Sequence, residues 1–462
     1  MPEPAAKRPS RLVTVLGALL GLLLVGIQWV LAVNLYLFPE WGRYLALGVA
    51  VLVALIYRIR RPRAGHEITF LLFFLSLYNV HMALGGYAYW GWWALPAFAA
   101  LAGAVYLVFR RRDRLWRALN GLNAALFLGV ILLLVLRTYS FLDRQERCRS
   151  DAARLPAAVR PVAGLPLHPY DFGGKPADRQ LGVACGQNEK FFLLDKEALA
   201  GRETALLTRG IQRVTPHPAH LWLALPLWEQ HDPDGRVYFV DAETGQKIDE
   251  TVAEASVPGC RNLLEVEFLG DKMYSLCEVT HSLHESDAEP PFTLRRSLKL
   301  PSLDAYDLAV DPARRVAYVT DWAAPWVMEV DLDRFTVARK KWVGFSSYGI
   351  ALGPDGLLYI AQMFHRRVQV LDPRTLNIVR TIAAGYGPRD LDFDPGRRLL
   401  LIGNYYHGTL DVVSLADGRR LQRLFVGELF RGLYFDQPRD RLFVAVGCGV
   451  RTIAGRDLTA GE

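Results

Sequence analysis

His365 and His407 stand 42 residues apart, and so do Arg389 and Arg431. Neutral imidazole ligates zinc, copper and iron, so histidines repeated at one spacing raise a metal or haem site. Guanidinium groups grip carboxylates and phosphates in a bidentate fork, so the arginine pair raises an anion clamp. Each has a plainer reading. Asp390 and Asp392 lie beside Arg389 and can neutralise it as part of a solvated rim. His231, His281 and His284 fall in comparable loops, which suits a scatter of surface imidazoles. What separates these readings is the framework that repeats the residues.

That framework is written four times: "YDLAVDPARRVAYVTDW", "YGIALGPDGLLYIAQMF", "RDLDFDPGRRLLLIGNY" and "RGLYFDQPRDRLFVAVG". Aligned on their turns, Asp311, Gly353, Asp394 and Asp436 coincide, at spacings of 42, 41 and 42 residues. Each unit holds four alternating apolar runs broken by Asp, Gly or Pro. Period-two alternation bounded by turn residues signals strands. Four strands in about 40 residues signal a propeller blade. Weaker copies extend the series to seven units, starting near 162, 211, 256, 303, 346, 386 and 429. The seventh stops before a fourth strand, which "AAVRPVAG", ahead of the first unit, can supply. Pairing the chain ends in this way hides open sheet edges.

"GRVYFVDAETGQKI" and "RRVQVLDPRTLNIVRTI" resemble the YVTN and NHL-type β-propeller repeats of bacterial extracytoplasmic proteins, over roughly residues 160–462. The resemblance implies the fold. It is unspecific for function, since such propellers include binding proteins, lyases, lactonases and electron-transfer subunits.

In a propeller, the start of the innermost strand and the end of the second strand meet at one mouth of the central channel. Alignment places Gln212, Asn262, Tyr306, Tyr348, Arg389 and Arg431 at the first position, and Asp321, Gln362 and Asn404 at the second. Ligand binding is expected at Asn262, Tyr306, Asp321, Tyr348, Gln362, Arg389, Asn404 and Arg431, with His365 and His407 as metal candidates on the same face. Lactonase-type propellers set acidic and amide metal ligands around the channel. Here the expected ring is Tyr and Arg, with Asn262 and Asp321 its only oxygen ligands beside the amides. The chain lacks the G-x-S-x-G nucleophile elbow, and its residues indicate no particular cofactor.

The five cysteines all lie beyond residue 147. Cys260 and Cys277 flank the first hairpin of the third unit almost symmetrically and are expected to bond. Cys185 and Cys448 occupy near-equivalent points in units one and seven, neighbours once the ring closes. A Cys185–Cys448 bond would lock closure, contributing roughly 2–4 kcal/mol. Cys148–Cys185 competes with it, and Cys148 is otherwise left over. None has metal-ligand spacing.

Residues 1–137 differ in kind. They hold 14 Lys/Arg against 4 Asp/Glu, a charge of +10, while the whole chain carries +7. The remainder is therefore about −3, without the basic surface a nucleic-acid partner needs. Apolar runs at 12–38, 41–57, 67–86, 92–109 and 118–136 are close to the 17–25 residues, roughly, of a spanning helix. Arginine-rich loops at 58–63 and 110–117 alternate with nearly uncharged, aromatic ones. By the positive-inside rule the N-terminus is cytoplasmic and, after five spans, the C-terminal part lies outside.

The expected fold class is thus an N-terminal α-helical transmembrane domain of about five helices (1–137), a linker and closing strand (138–161) and an all-β, seven-bladed β-propeller (162–462). The expected protein sits in the cytoplasmic membrane of a bacterium. Its extracytoplasmic propeller binds a partner protein or small ligand on its channel face. The alternatives are a metal-dependent hydrolase or lyase using that face, and an outer cap of a larger membrane complex.

Overall fold

A computed structural model of the chain describes residues 144–459, apart from short segments at 186–189, 208–209, 229–233 and 250–252. The five expected spans and His231 lie outside the described residues. No helix among the described residues is long and apolar enough to cross a membrane. The chain divides at Arg144 into two units, and the second is a seven-bladed propeller.

Seven four-stranded antiparallel sheets make the blades. Blade four runs through Ala305–Asp311, Val316–Asp321, Trp326–Asp331 and Thr336–Trp342. Blades stack face to face, so their inner strands bury both surfaces: every residue of Leu399–Asn404 in blade six is buried. Outer strands have one wet face and alternate, as Thr336–Trp342 does. The core is accordingly spread between blades. Leu401, Leu410 and Val412 of blade six pack with Leu433, Leu442 and Val444 of blade seven.

The ring closes as the sequence predicts. Arg160–Pro161 pairs with Gly449–Ala454, Arg160 opposite Thr452, and completes blade seven from the other end of the chain. A buried ion pair crosses the same seam: Lys196 Nζ of blade one lies 3.2 Å from Asp436 Oδ1 of blade seven. Burial lowers the Lys196 pKa against the pull of Asp436.

The helix Arg144–Arg154 docks over blades six and seven. Asp151 accepts a hydrogen bond from the Glu428 N–H at 2.9 Å, and the Arg154 guanidinium lies 3.9 Å from the Phe425 ring centre. This helix changes the expected cysteine pairing. Cys148 bonds Cys448 and Cys260 bonds Cys277, leaving Cys185 free. Cys260–Cys277 is as expected, whereas the Cys185–Cys448 bond is not formed. Cys185 is turned into the apolar seam with Val162, Phe443 and Val450, while the helix carries Cys148 to Cys448 from above.

Candidate functional site

The innermost strand of each blade is a sheet edge, so its channel-facing N–H groups have no strand to pair with. Buried donors need partners. The channel supplies carboxylates from the preceding blade. Asp171 accepts from the Val214 N–H, Glu265 from Leu308, Asp307 from Ile350 and Asp390 from Leu433, at 2.7–3.4 Å. Each bond joins residues 43 apart, one blade to the next. Two blades carry glycine at this level instead, and the next backbone moves in. A Cβ on Gly349 would sit 2.3 Å from the Arg389 carbonyl oxygen, and one on Gly432 2.7 Å from that of Tyr170. Blade two carries Arg213, which donates to Asp307 at 2.9 Å across the channel and lies 4.0 Å from both Asp171 and Glu265.

One residue earlier on each strand, the seven blades contribute Tyr170, Gln212, Leu264, Tyr306, Tyr348, Arg389 and Arg431 to the mouth. They fill it. The Tyr306 and Tyr348 hydroxyls are hydrogen-bonded to each other. The Arg389 guanidinium lies 4.4 Å from the Tyr348 ring centre, and that of Arg431 4.4 Å from the Tyr170 ring centre. Arg389 Nε donates to the Arg431 carbonyl. The space left is about 10 Å³, room for a single water. The expected arginine clamp is therefore occupied by aromatic rings and backbone. Asp390 and Asp392 do not neutralise Arg389, since they accept the N–H groups of Leu433 and Phe435.

The ring was expected to hold Asn262 and Asp321 as its only oxygen ligands beside the amides. That is corrected: Asp171, Glu265, Asp307 and Asp390 lie directly beneath the collar. Glu267 and Asp392 follow lower on the same strands. Burial pushes Glu267 up to about 7, with repulsion from Asp307 adding to it. It pushes Asp390 up to about 7 and Asp392 up to about 6. Below Arg213 the channel widens into a cavity of about 350 Å³ on blades one to three.

The other predicted positions lie beneath the loops and tie them down. Asn262 is buried and donates to Glu278; the equivalent collar position in its blade belongs to Leu264. Asp321 accepts from Ser302 Oγ and from the Leu303, Ala323 and Ala324 N–H groups. Gln362 donates to the Val343 carbonyl and accepts from Arg367. Asn404 donates to Asp411 and to Thr409. In blade three the same place is taken by the Cys260–Cys277 bond.

His365 and His407 are exposed on the mouth face, and the His407 Nδ1 accepts the Tyr386 N–H. Among the described residues, two other groups bring three possible ligand atoms within 4.8 Å: Cys260, Cys277 and His284, and His217, His220 and Glu289. Neither suits a metal. The first two cysteines are bonded to each other, and both His284 nitrogens meet serine hydroxyls. His217 Nδ1 accepts the Ala219 and His220 N–H groups, so its proton sits on Nε2 and points at the Ala288 carbonyl, 3.0 Å away. A metal-bound imidazole needs the opposite arrangement.

Around the filled mouth, blades four to six raise an aromatic crescent. Trp322 lies 5.2 Å from Phe364, Phe364 6.4 Å from Tyr406 and Tyr406 4.7 Å from Tyr386, between ring centres. Trp342 and Phe345, 5.9 Å apart, form a second exposed aromatic pair at the end of blade four. Phe345 and Phe364 are each 51% exposed and Trp342 56%. The loops that carry these rings, "WAAP", "VGFSS", "MFHR", "AGYG" and "YYHG", contain no Asp or Glu. The crescent escaped the sequence reading, although its aromatic residues recur next to the strand ends already singled out.

No protein-family model matches the chain. No curated protein matches it either. Among solved structures 1541 chains match. One, from the crystal structure of a mitotic checkpoint complex, superposes with a TM-score of 0.55 at 13% identity, covering 65% of this chain and 91% of that one. Likeness at that identity, shared so widely, establishes the seven-bladed propeller and leaves the repeat family open.

Proposed function

We propose that the protein is a membrane-anchored, extracytoplasmic propeller of the YVTN/NHL type that binds a partner protein on its channel-mouth face. The observation that carries this reading is the aromatic crescent. Contiguous exposed apolar surface marks interaction sites, and aromatic residues are enriched at protein interfaces while acidic ones are depleted. The filled mouth favours a protein over a small ligand, because the collar leaves space for one water. Propellers commonly serve as interaction platforms, as in the complex that holds the structural neighbour.

Anchoring rests on the five apolar runs and their arginine-flanked loops. An outside location is supported by the two disulfides, which persist in oxidising compartments. The test is co-purification in mild detergent, comparing the native chain with a Phe364→Asp/Tyr406→Asp variant. A partner that accompanies the first and is lost from the second is expected. A partner retained in full by the variant would refute the crescent as its site.

A further inference from the structure

The helix Arg144–Arg154 leads from the N-terminal part of the chain into the propeller, and the Cys148–Cys448 bond is its strongest tie. Its sequence, "RQERCRSDAAR", holds no large apolar residue. Ala152 and Ala153 are exposed, and apolar packing between blades six and seven begins after the helix, at Leu155 and Val159. A helix of 11 residues is marginal in water on its own, and this one has no apolar face to dock. Beside the bond, Asp151 accepts the Glu428 N–H, and Arg154 reaches Glu428 at 3.6 Å and the Phe425 ring. Arg154 and Glu428 are both about half exposed, where such pairs hold weakly. Arg451 of blade seven is buried, its Nε has no partner among the described residues, and the charge acting on it is that of Asp151. The docked state thus buries charge that is incompletely hydrogen-bonded, which opposes docking.

We propose that Cys148–Cys448 is a thiol-exchange latch: a dithiol oxidoreductase opens it, and the helix then leaves the propeller. Access separates the two disulfides. Cys260 and Cys277 are each 0% exposed and lie in the core between blades two and three. Cys148 and Cys448 are part-exposed. Cys148 stands beside exposed Arg149, whose charge favours an approaching thiolate. Cys448 lies at the tip of the hairpin between Arg441–Val446 and Gly449–Ala454, with a glycine on either side. Exposed disulfides are the labile, regulatory ones, while burial shields sulfur from attack.

The exchange balances with the dithiol alone. One thiolate of the oxidoreductase attacks Cys148 Sγ, forming a mixed disulfide and expelling Cys448 as a thiolate, which takes up a proton. The second thiolate attacks the oxidoreductase sulfur of the mixed disulfide, closing the oxidoreductase's own disulfide and expelling Cys148, which is protonated in turn. Two electrons and two protons pass to the cysteine pair. Opening moves the point where the chain leaves the propeller from Cys148 to Leu155. The freed stretch extends to about 25 Å, so the latch sets the reach of the tether between propeller and N-terminal part. It stands whether or not a partner binds the crescent.

The test uses the full-length chain in detergent, with graded dithiothreitol as the dithiol, maleimide labelling read by mass spectrometry, and hydrogen exchange over residues 148–154. At concentrations that leave the propeller folded, Cys148 and Cys448 are expected to label while Cys185, Cys260 and Cys277 stay protected. Amides of the helix should exchange about tenfold faster after reduction, and replacing the dithiol by oxidised glutathione should restore their protection. A Cys148→Ser/Cys448→Ser variant should exchange fast with or without dithiol; if it fails to fold, the native chain decides the matter alone. Labelling of Cys260 and Cys277 at the same concentration, no labelling of Cys148 and Cys448 while the propeller stays folded, or unchanged helix exchange once both are labelled would each overturn the proposal.

Discussion

Arg213 Nη2 of blade two donates to Asp307 Oδ1 of blade four at 2.9 Å, spanning the channel past the intervening blade. Asp307 spends its other oxygen on the Ile350 N–H of blade five. One carboxylate thus ties three blades together and divides the channel into a closed mouth and an open cavity.

Replacing Arg213 by methionine leaves Asp307, Glu265 and Asp171 facing one another without their cation. Breaking a buried pair costs about 3–5 kcal/mol; Arg213 is partly solvated, so about 2–3 kcal/mol is expected at pH 7.5. The loss should shrink at pH 5, because burial raises Asp171 and Glu265 so that they hold protons more readily. Urea unfolding at both pH values measures it. An equal loss at the two would contradict the electrostatic account.

The channel carboxylates also set a pH dependence of the native chain. Glu267, Asp390 and Asp392 have folded values of about 7, 7 and 6, above those of free side chains. Between the free and folded values the native state holds more protons than the unfolded one, so stability falls as pH rises. The propeller should therefore melt at a higher temperature at pH 5.5 than at pH 8. Glu267→Gln combined with Asp390→Asn should flatten that difference. A melting temperature that rises from pH 5.5 to pH 8 would count against it.

Cys185 is the one free cysteine of five, and burial pushes its thiol up to about 12. A buried, protonated thiol is inert. Ellman's reagent should find no reactive thiol in the native oxidised protein and one after unfolding in guanidinium. Three thiols after unfolding would mean that one of the two disulfides is absent.

At the seam, Asp436→Asn should destabilise by about 3–5 kcal/mol, because Lys196 would stay buried without its anion. The paired change Lys196→Met/Asp436→Leu should restore most of that loss. Guanidinium titration of the three variants decides it. A double variant as unstable as the single one would show that Lys196 matters through its bonds to the Lys175 and Pro176 carbonyls instead.

How much of this could be read in advance follows from how each feature is encoded. Blade number, the closing strand and the Cys260–Cys277 bond depend on the 42-residue period, which the chain states openly. The repeat alignment places Gln212, Tyr306, Tyr348, Arg389 and Arg431 at the collar, where the structure has them. It failed at Asn262, because aligning Cys260 with Asp304 shifts blade three by two residues and hides Leu264. The ring of Asp171, Glu265, Asp307 and Asp390 was visible in principle, one residue after each collar position. It was missed because carboxylates on strands read as solvated, and only the unpaired edge N–H groups explain them. Cys148 found its partner through a helix that no apolar periodicity announced. Asp321, Gln362 and Asn404 shared a repeat position with different chemistry, and their common task is holding the incoming loop.

The most direct test of the account is site-specific photo-crosslinking in native membranes. A photoreactive residue placed at Phe364 or Tyr406 is predicted to capture one protein partner, while the same residue at Arg334, on the opposite face, captures none. Adducts to lipid alone from the crescent, or the same protein captured from both faces, would contradict it.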